Sequence, residues 1–394
     1  MSEAQTPQRV VVVGASAGGL TVAETLRREG YSGDIVMIGD ETEPPYDRPP
    51  LSKQVLKGSW DPARTHLRDR TSLDALECEW LLGEPARSVH LDNRTVEVGG
   101  RQVPYDELVI ATGVRPRPLP IDIPPGVHTL RTLADAQELA KDMRKGASLA
   151  VIGSGFLGIE VAAVAIELGM NVTVVDVLDA PLVRQLGPVV AAQVRELHES
   201  RGTRFRLGRS VVALDPTEDD RVSLGLDNGE SFTADVVLVG IGSLPNTDWL
   251  VGSGLKIDNG IVCDEFNRAG QHVWAVGDVA RWFHPVQQRH VRIEHRMNAT
   301  EQGISVAKGI LGTLTAFAPV PYFWTDQYEV KIQAYGTLPE GADVRVVAGS
   351  IEDGKFAVAY HVAGEAVGAL SWNMPREVRG LRQELVARTH RLLS

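Results

Sequence analysis

Two short glycine-rich stretches carry the clearest chemistry in the chain. Gly153-Ser154-Gly155-Phe156-Leu157-Gly158 follows the apolar run Leu149-Ala150-Val151-Ile152 and leads into a helical pattern from Ile159 to Leu168. In such a stretch the first glycine makes a tight turn, the second lets a pyrophosphate approach the backbone, and the third permits close packing of helix on strand. The helix amino terminus then attracts the phosphate charge. A further apolar run, Val172-Thr173-Val174-Val175, ends at Asp176, a carboxylate placed to accept ribose hydroxyls.

The same order occurs near the amino terminus. Arg9-Val10-Val11-Val12-Val13 runs into Gly14-Ala15-Ser16-Ala17-Gly18-Gly19 and a helical pattern from Leu20 to Arg28. A second strand, Ile35-Val36-Met37-Ile38, closes on Gly39-Asp40-Glu41. Ser16 stands where the middle glycine is expected, so its Cβ holds a pyrophosphate slightly farther off while its hydroxyl offers a hydrogen bond. Two strand-turn-helix-strand units with terminal acids predict two dinucleotide sites. At the second, a carboxylate at Asp176 opposes the 2′-phosphate of NADPH across like charges, which favours NADH; Arg184, a little downstream, softens that preference.

The elements that position these turns need room, and 394 residues suffice for two or three domains. Hydrophobic residues at 43% and charged residues at 23% fit a folded globular protein. The net charge of -11 argues against a nucleic-acid partner, which requires a basic footprint. Cys78 and Cys263 lie far apart and outside any C-x-x-C pattern, which predicts no disulfide framework, zinc site or dithiol centre. His284, His290 and His295 lack accompanying ligands at a metal-binding spacing, so no metal is expected. The opening residues carry no signal-peptide pattern and no apolar run reaches membrane-spanning length, which predicts a cytoplasmic protein without a membrane association.

Between the units, Glu107-Leu108-Val109-Ile110 ends in Ala111-Thr112-Gly113, and Val236-Val237-Leu238-Val239 runs into Gly240-Ile241-Gly242-Ser243-Leu244-Pro245-Asn246. Both read as crossovers between domains. The strand Val273-Trp274-Ala275-Val276 then stops at Gly277-Asp278, so one domain is inserted into another.

Taken with Pro45-Tyr46-Asp47-Arg48-Pro49-Pro50-Leu51-Ser52-Lys53 and Tyr322-Phe323-Trp324-Thr325-Asp326-Gln327-Tyr328, these stretches make nearly the whole chain resemble the two-dinucleotide flavoprotein reductases. Within them it is most similar to the putidaredoxin-reductase-like, NADH-dependent ferredoxin reductases of P450 and ring-hydroxylating dioxygenase systems. The resemblance implies that Asp40 holds the FAD ribose, Lys53 sits beside the flavin ring, and Asp278 binds the ribityl or phosphate region. It also places Ala86 and Arg131 at FAD contacts, pairs Glu160 with Lys53, and lays Trp324 over the flavin toward the partner. Gly14, Ser16, Gly18, Gly19, Arg48, Ala111, Thr112, Gly113 and Gly277 complete the expected FAD site, and Gly153, Gly155, Gly158, Asp176 and Gly242 the NADH site. One departure falls in Glu294-His295-Arg296-Met297-Asn298, where Arg296 replaces a family tryptophan near the nicotinamide. A cation there would help hold reduced flavin as an anion or attract an acidic partner.

The expected architecture is α/β: two Rossmann-type domains of glutathione-reductase-like kind plus a C-terminal α+β domain. FAD binding is assigned to residues 1–113 and 244–318, NAD binding to 114–243, and the partner-facing side to 319–394, with strands near 331–334, 344–347 and 357–360 and a helix over 376–393. Nicotinamide gives a hydride whereas an iron-sulfur centre takes electrons singly, and a flavin does both. The implied activity is therefore hydride transfer from NADH to flavin N5 and onward passage of single electrons to a transient partner, a small [2Fe-2S] ferredoxin. Because such ferredoxins are generally acidic, Arg48, Arg64, Arg68, Arg70, Arg289, Arg292 and Arg296 are candidate local cations. Alternatives on the same scaffold are a cysteine-independent NADH oxidase, a rubredoxin reductase and an NADH-responsive signalling flavoprotein; monomer and homodimer both stay open.

Overall fold

The computed structural model describes residues 6–393, so the outermost ends of the first and last expected domains lie outside the described residues. Around the first glycine turn lies a six-stranded sheet ordered Arg268–Gly270, Val273–Ala275, Glu107–Ile110, Arg9–Val13, Asp34–Gly39, Glu79–Leu82. It is parallel apart from its Arg268–Gly270 edge. Strand Arg9–Val13 sits centrally with Val10, Val11 and Val12 wholly buried, as a near-continuous β-branched run requires when both faces are covered, here by helices on one side and by short antiparallel strands on the other.

A second sheet repeats the plan. Its order is Val127–His128, Val236–Val239, Ser148–Ile152, Asn171–Asp176, Arg204–Leu207, all parallel. In each unit a three-stranded antiparallel sheet precedes the returning strand: Ala86–His90, Thr95–Val98 and Arg101–Pro104 in the first, Val211–Pro216, Val222–Leu226 and Ser231–Ala234 in the second. The duplication thus extends well past the glycine turns. Those small sheets were not foreseen, because their alternating strands face solvent on one side and carry weak apolar patterns.

The two crossovers run side by side. Val114–Pro116 pairs antiparallel with Ser243–Pro245. Next to this ribbon Thr112 Oγ1 donates to the Asn246 carbonyl at 2.9 Å, and Asn246 Nδ2 returns a bond to the Thr112 carbonyl at 2.9 Å.

The C-terminal part is a five-stranded antiparallel sheet ordered Tyr322–Gln327, Val330–Gly336, Glu365–Trp372, Lys355–Val362, Asp343–Ser350, backed by helix Val378–Leu393. Strand Glu365–Trp372 went unread because its last five residues are buried on both faces and give no alternation. One face of this sheet packs on its own helix through the small cluster Ala357, Ala369 and Val378; on the other face Phe356, Tyr360 and Leu370 share one core with Val161, Ala165 and Leu186 of the second unit and with Leu51 and Val55.

Helix Phe156–Glu167 lies at the centre of that core. Residues 158 to 165 are all buried, and the helix touches its own sheet, the wide helical turn Leu51–Val55 and strand Tyr322–Gln327. A helix that is apolar all round belongs in such a place.

Gly153, at φ +104°, turns so tightly that an added Cβ would lie 2.3 Å from the Gly240 carbonyl oxygen. Gly202, at φ +99°, faces open space. Gly202→Ala should therefore cost about 1–2 kcal/mol from left-handed strain alone, and Gly153→Ala about 1–3 kcal/mol more from overpacking. Urea denaturation of the two variants checks the order; equal losses would contradict it.

Candidate active site

The glycines divide by what their missing side chains allow. Gly14 and Gly153 close the turns, since a Cβ would meet the carbonyl oxygen of Ala111 at 2.2 Å or of Gly240 at 2.3 Å. Gly19 and Gly158 pack helix on strand, each within 2.1 Å of the turn's first carbonyl oxygen if given a Cβ. Gly155 differs: only the Gln185 side chain, at 4.0 Å, stands near its absent Cβ, which leaves a cradle over the helix amino terminus. Gly242, at φ +103°, also faces open space. Gly18 opens no cradle; its bare face meets Val276 and Ala299, so its smallness serves the packing of helix Ala17–Arg28 on helix Arg296–Ile310.

Asp176 ends its strand beside the second cradle. Its Oδ2 accepts from Ser154 N at 2.5 Å and Ser154 Oγ at 2.7 Å, and its Oδ1 from Leu178 N at 2.9 Å. The carboxylate is thereby oriented by its own turn. Asp40, the counterpart in the first unit, is exposed, whereas the adjacent Glu41 accepts from Arg48 Nη2 at 2.6 Å and from the Tyr46 hydroxyl.

From Arg48 a polar chain crosses the first unit. Arg48 Nη1 donates to the Arg131 carbonyl at 2.7 Å, and Arg131 Nη2 reaches Asp278 Oδ2 at 3.3 Å. Burial pushes the Asp278 carboxyl up, opposed by the Arg131 cation beside it, and burial pushes the Arg131 guanidinium down. Gly113 sits under Arg131, where a Cβ would lie 3.0 Å from Nη2. Among the described residues the buried Arg48 Nε has no partner. Two half-buried guanidiniums, one with an orphaned N–H, fit a site built for an anionic ligand. Gly277 N–H donates to Gln302 Oε1 at 2.7 Å, holding the turn that carries Asp278. Ala86 begins a strand just beyond Glu84, whose N–H bonds the Gly39 carbonyl, and so lies by the end of the strand carrying Asp40.

Lys53 and Glu160 meet where both units join the C-terminal sheet. Lys53 Nζ lies 2.7 Å from Glu160 Oε2, with side chains only 11% and 8% exposed. Ser52 Oγ donates to the same oxygen at 2.5 Å, and Thr325 Oγ1 donates to Oε1 at 2.8 Å. Glu160 stands in the second turn of helix Phe156–Glu167, so its charge is held by these side-chain partners. Neither Ser52 nor Thr325 was picked out from sequence; both stood inside quoted motifs, and only the fold aims them inward.

Phe323 lies 5.1 Å, centroid to centroid, from both Phe156 and His295, closing the space beside Glu160. Burial holds the His295 imidazole down at about 4, hence neutral. Trp324 points to the other face of its strand and stacks with Tyr322 at 5.9 Å. Arg296 is already engaged: its Nε lies 2.5 Å from Asp47 and its Nη1 donates to Thr300 Oγ1 at 2.5 Å. The other proposed surface cations are mostly engaged as well, Arg48 with Glu41, Arg68 with Glu24, Arg70 with Asp74 and Arg292 with Glu294. Arg64 stacks on Trp60, and Arg289 bonds Gln287.

Burial pushes the Cys78 thiol up to about 11 and the Cys263 thiol further, which disfavours thiolate chemistry at either. Among the described residues no cluster suited to a metal ion occurs, and no helix is long and apolar enough to cross a membrane.

Residues 8–303 match the pyridine nucleotide-disulphide oxidoreductase family, and residues 322–392 match a reductase C-terminal domain. The chain belongs to the pyridine nucleotide-disulphide oxidoreductases. Among members of this family, it is 37% identical over 380 residues to rhodocoxin reductase of Rhodococcus erythropolis, spanning 95% of this chain and 89% of the relative. Over 383 residues it is 38% identical to the ferredoxin--NAD(+) reductase component of an anthranilate 1,2-dioxygenase system from Burkholderia cepacia, spanning 96% and 94%. The solved covalent complex of putidaredoxin reductase with putidaredoxin superposes at a TM-score of 0.92 with 35% identity, over 97% of this chain and 93% of that one.

Removing one member of the Lys53–Glu160 pair leaves a buried charge uncompensated. Glu160→Leu should lower stability by about 3–5 kcal/mol, and adding Lys53→Met should restore part of that. Chemical denaturation of the single and double variants tests this; a double variant no better than Glu160→Leu would contradict it.

Proposed function

We propose that this oxidoreductase is an FAD-dependent NADH:ferredoxin reductase serving a P450 or ring-hydroxylating dioxygenase. The observation that carries the reading is the buried Lys53–Glu160 pair at the junction of two dinucleotide cradles, with no redox cysteine beside it. Residues 1–113 and 244–318 form the FAD-binding part, 114–243 the NAD-binding part, and 319–394 the partner-facing part. The side-by-side crossovers and the shared plan of the two sheets support that division. The acceptor is a [2Fe-2S] ferredoxin, and the reducing cytoplasm suits two cysteines without a disulfide.

The FAD would be held by Gly14, Ser16 and Gly19 at the pyrophosphate, Asp40 at the ribose, and Arg48, Ala86, Ala111–Gly113, Arg131, Gly277 and Asp278 along its length. Gly18 and Arg296 act from behind, the first through helix packing and the second through Asp47. NADH would lie over Gly153, Gly155 and Gly158, with Asp176 on its ribose and Gly242 beneath it. Bound flavin supplies a carrier that takes a hydride and releases electrons one at a time. Lys53 offers a fixed ammonium where negative charge develops on reduction, and Glu160 holds it in place in a low-dielectric setting. Phe156, Phe323 and His295 keep water from that space. Trp324 and Tyr322 lie on the opposite face of the strand, toward the acceptor.

Purified, FAD-loaded protein should reduce a [2Fe-2S] ferredoxin with NADH faster than rubredoxin or oxygen, and faster than with NADPH. Oxygen consumption that matches the ferredoxin rate would overturn the reading in favour of an oxidase. In stopped flow, Lys53→Ala should slow flavin reduction by roughly 10- to 100-fold; an unchanged rate would remove Lys53 from the mechanism.

A further inference from the structure

The C-terminal sheet supplies more than an outward face. Thr325 is fully buried, lies 165 residues from Glu160 in sequence, and among the described residues makes the sole hydrogen bond to Glu160 Oε1, at 2.8 Å. Behind it stand two more fully buried polar residues. Gln327 Nε2 lies 3.4 Å from Thr325 Oγ1, and Gln327 Oε1 lies 3.1 Å from His198 Nε2, at the end of helix Val183–Ser200 in the second unit.

The direction of these bonds follows from the chemistry of each group. Burial holds the His198 imidazole at about 4, so it is neutral near pH 7 and carries one N–H. The Gln327 carbonyl oxygen only accepts, which puts that hydrogen on Nε2 and leaves Nδ1 facing the Tyr328 hydroxyl at 3.4 Å. Gln327 Nε2 then donates to Thr325 Oγ1, and the Thr325 hydroxyl donates to Glu160. Every donor in the row points toward the carboxylate that holds Lys53.

A carboxylate bonded at one oxygen alone turns about its last torsion, which is broad and roughly two-fold. Bonded at both, its plane is fixed, and so is the ammonium held by its other oxygen. We propose that Thr325 and Gln327, backed by His198, are positioning residues for hydride transfer, fixing Glu160 so that it presents Lys53 in one orientation. The inference rests on the role given to Lys53 above, and it makes the C-terminal sheet part of the hydride-transfer site. Influence falls with distance along the row, because the 2.8 Å bond is strong and the 3.4 Å contact is weak.

The test uses the full-length, FAD-loaded protein and its Thr325→Val and Thr325→Ser variants, with anaerobic stopped-flow reduction by NADH. Thr325→Val keeps the shape and removes the donor, and should slow flavin reduction roughly tenfold while NADH affinity stays within about twofold. The visible spectrum of the bound flavin should also change as the Lys53 charge moves, and Thr325→Ser should restore both readouts. Gln327→Leu should slow reduction by a smaller factor, and it carries the same test should Thr325→Val fail to fold.

A purely structural role predicts a lowered denaturation midpoint with the reduction rate and flavin spectrum of the parent, and that result would overturn the proposal. It would do so without touching the assigned function, provided the parent protein is reduced by NADH. A parent that binds flavin but is not reduced would overturn both.

Discussion

A carboxylate and an ammonium taken out of water must find each other, and must also satisfy their remaining hydrogen-bonding capacity, or the fold loses several kcal/mol. Lys53 and Glu160 impose that condition on three distant parts of the chain at once. Lys53 comes on the wide helical turn after Pro49-Pro50, Glu160 on a helix that is apolar all round, and Thr325 on the first strand of the C-terminal sheet. The surrounding core is continuous across all three, with Leu51, Val161 and Tyr360 in one cluster. The parts are thereby held at one mutual distance, as a reaction between two bound cofactors demands.

The duplicated units solve one problem with different residues. In both, the first and third glycines of the turn are fixed by steric contact with backbone, so their presence follows from geometry whether or not a ligand binds. The middle position is where the units diverge: Gly155 leaves open space, and Ser16 occupies it. The acids diverge as well. Asp176 is oriented by Ser154 of its own turn, while Asp40 is free and its neighbour Glu41 anchors Arg48. One unit presents a prearranged carboxylate, and the other presents guanidiniums linked across to Asp278.

Local rules made much of this legible in the sequence. Turns, strand runs and terminal acids depend on residues close together, so both dinucleotide units and their crossovers could be located within a few residues. The pairing of Lys53 with Glu160 came only from a family resemblance, since nothing in local spacing brings residues 107 positions apart into contact. Ser52, Thr325 and Phe323 escaped notice for the same reason, and His295 was weighed only as a metal ligand. The engagement of Arg296, Arg48, Arg68 and Arg292 by nearby carboxylates was likewise not visible in local spacing.

Two nucleotide cradles facing one another across Lys53 must lie close enough for a hydride to pass. An anaerobic titration of the FAD-loaded protein with NADH tests this most directly, read by the visible absorbance of the flavin. One flavin per chain and complete bleaching at one equivalent of NADH are expected. A protein that retains no flavin, or a flavin that keeps its oxidised spectrum with excess NADH, would contradict it.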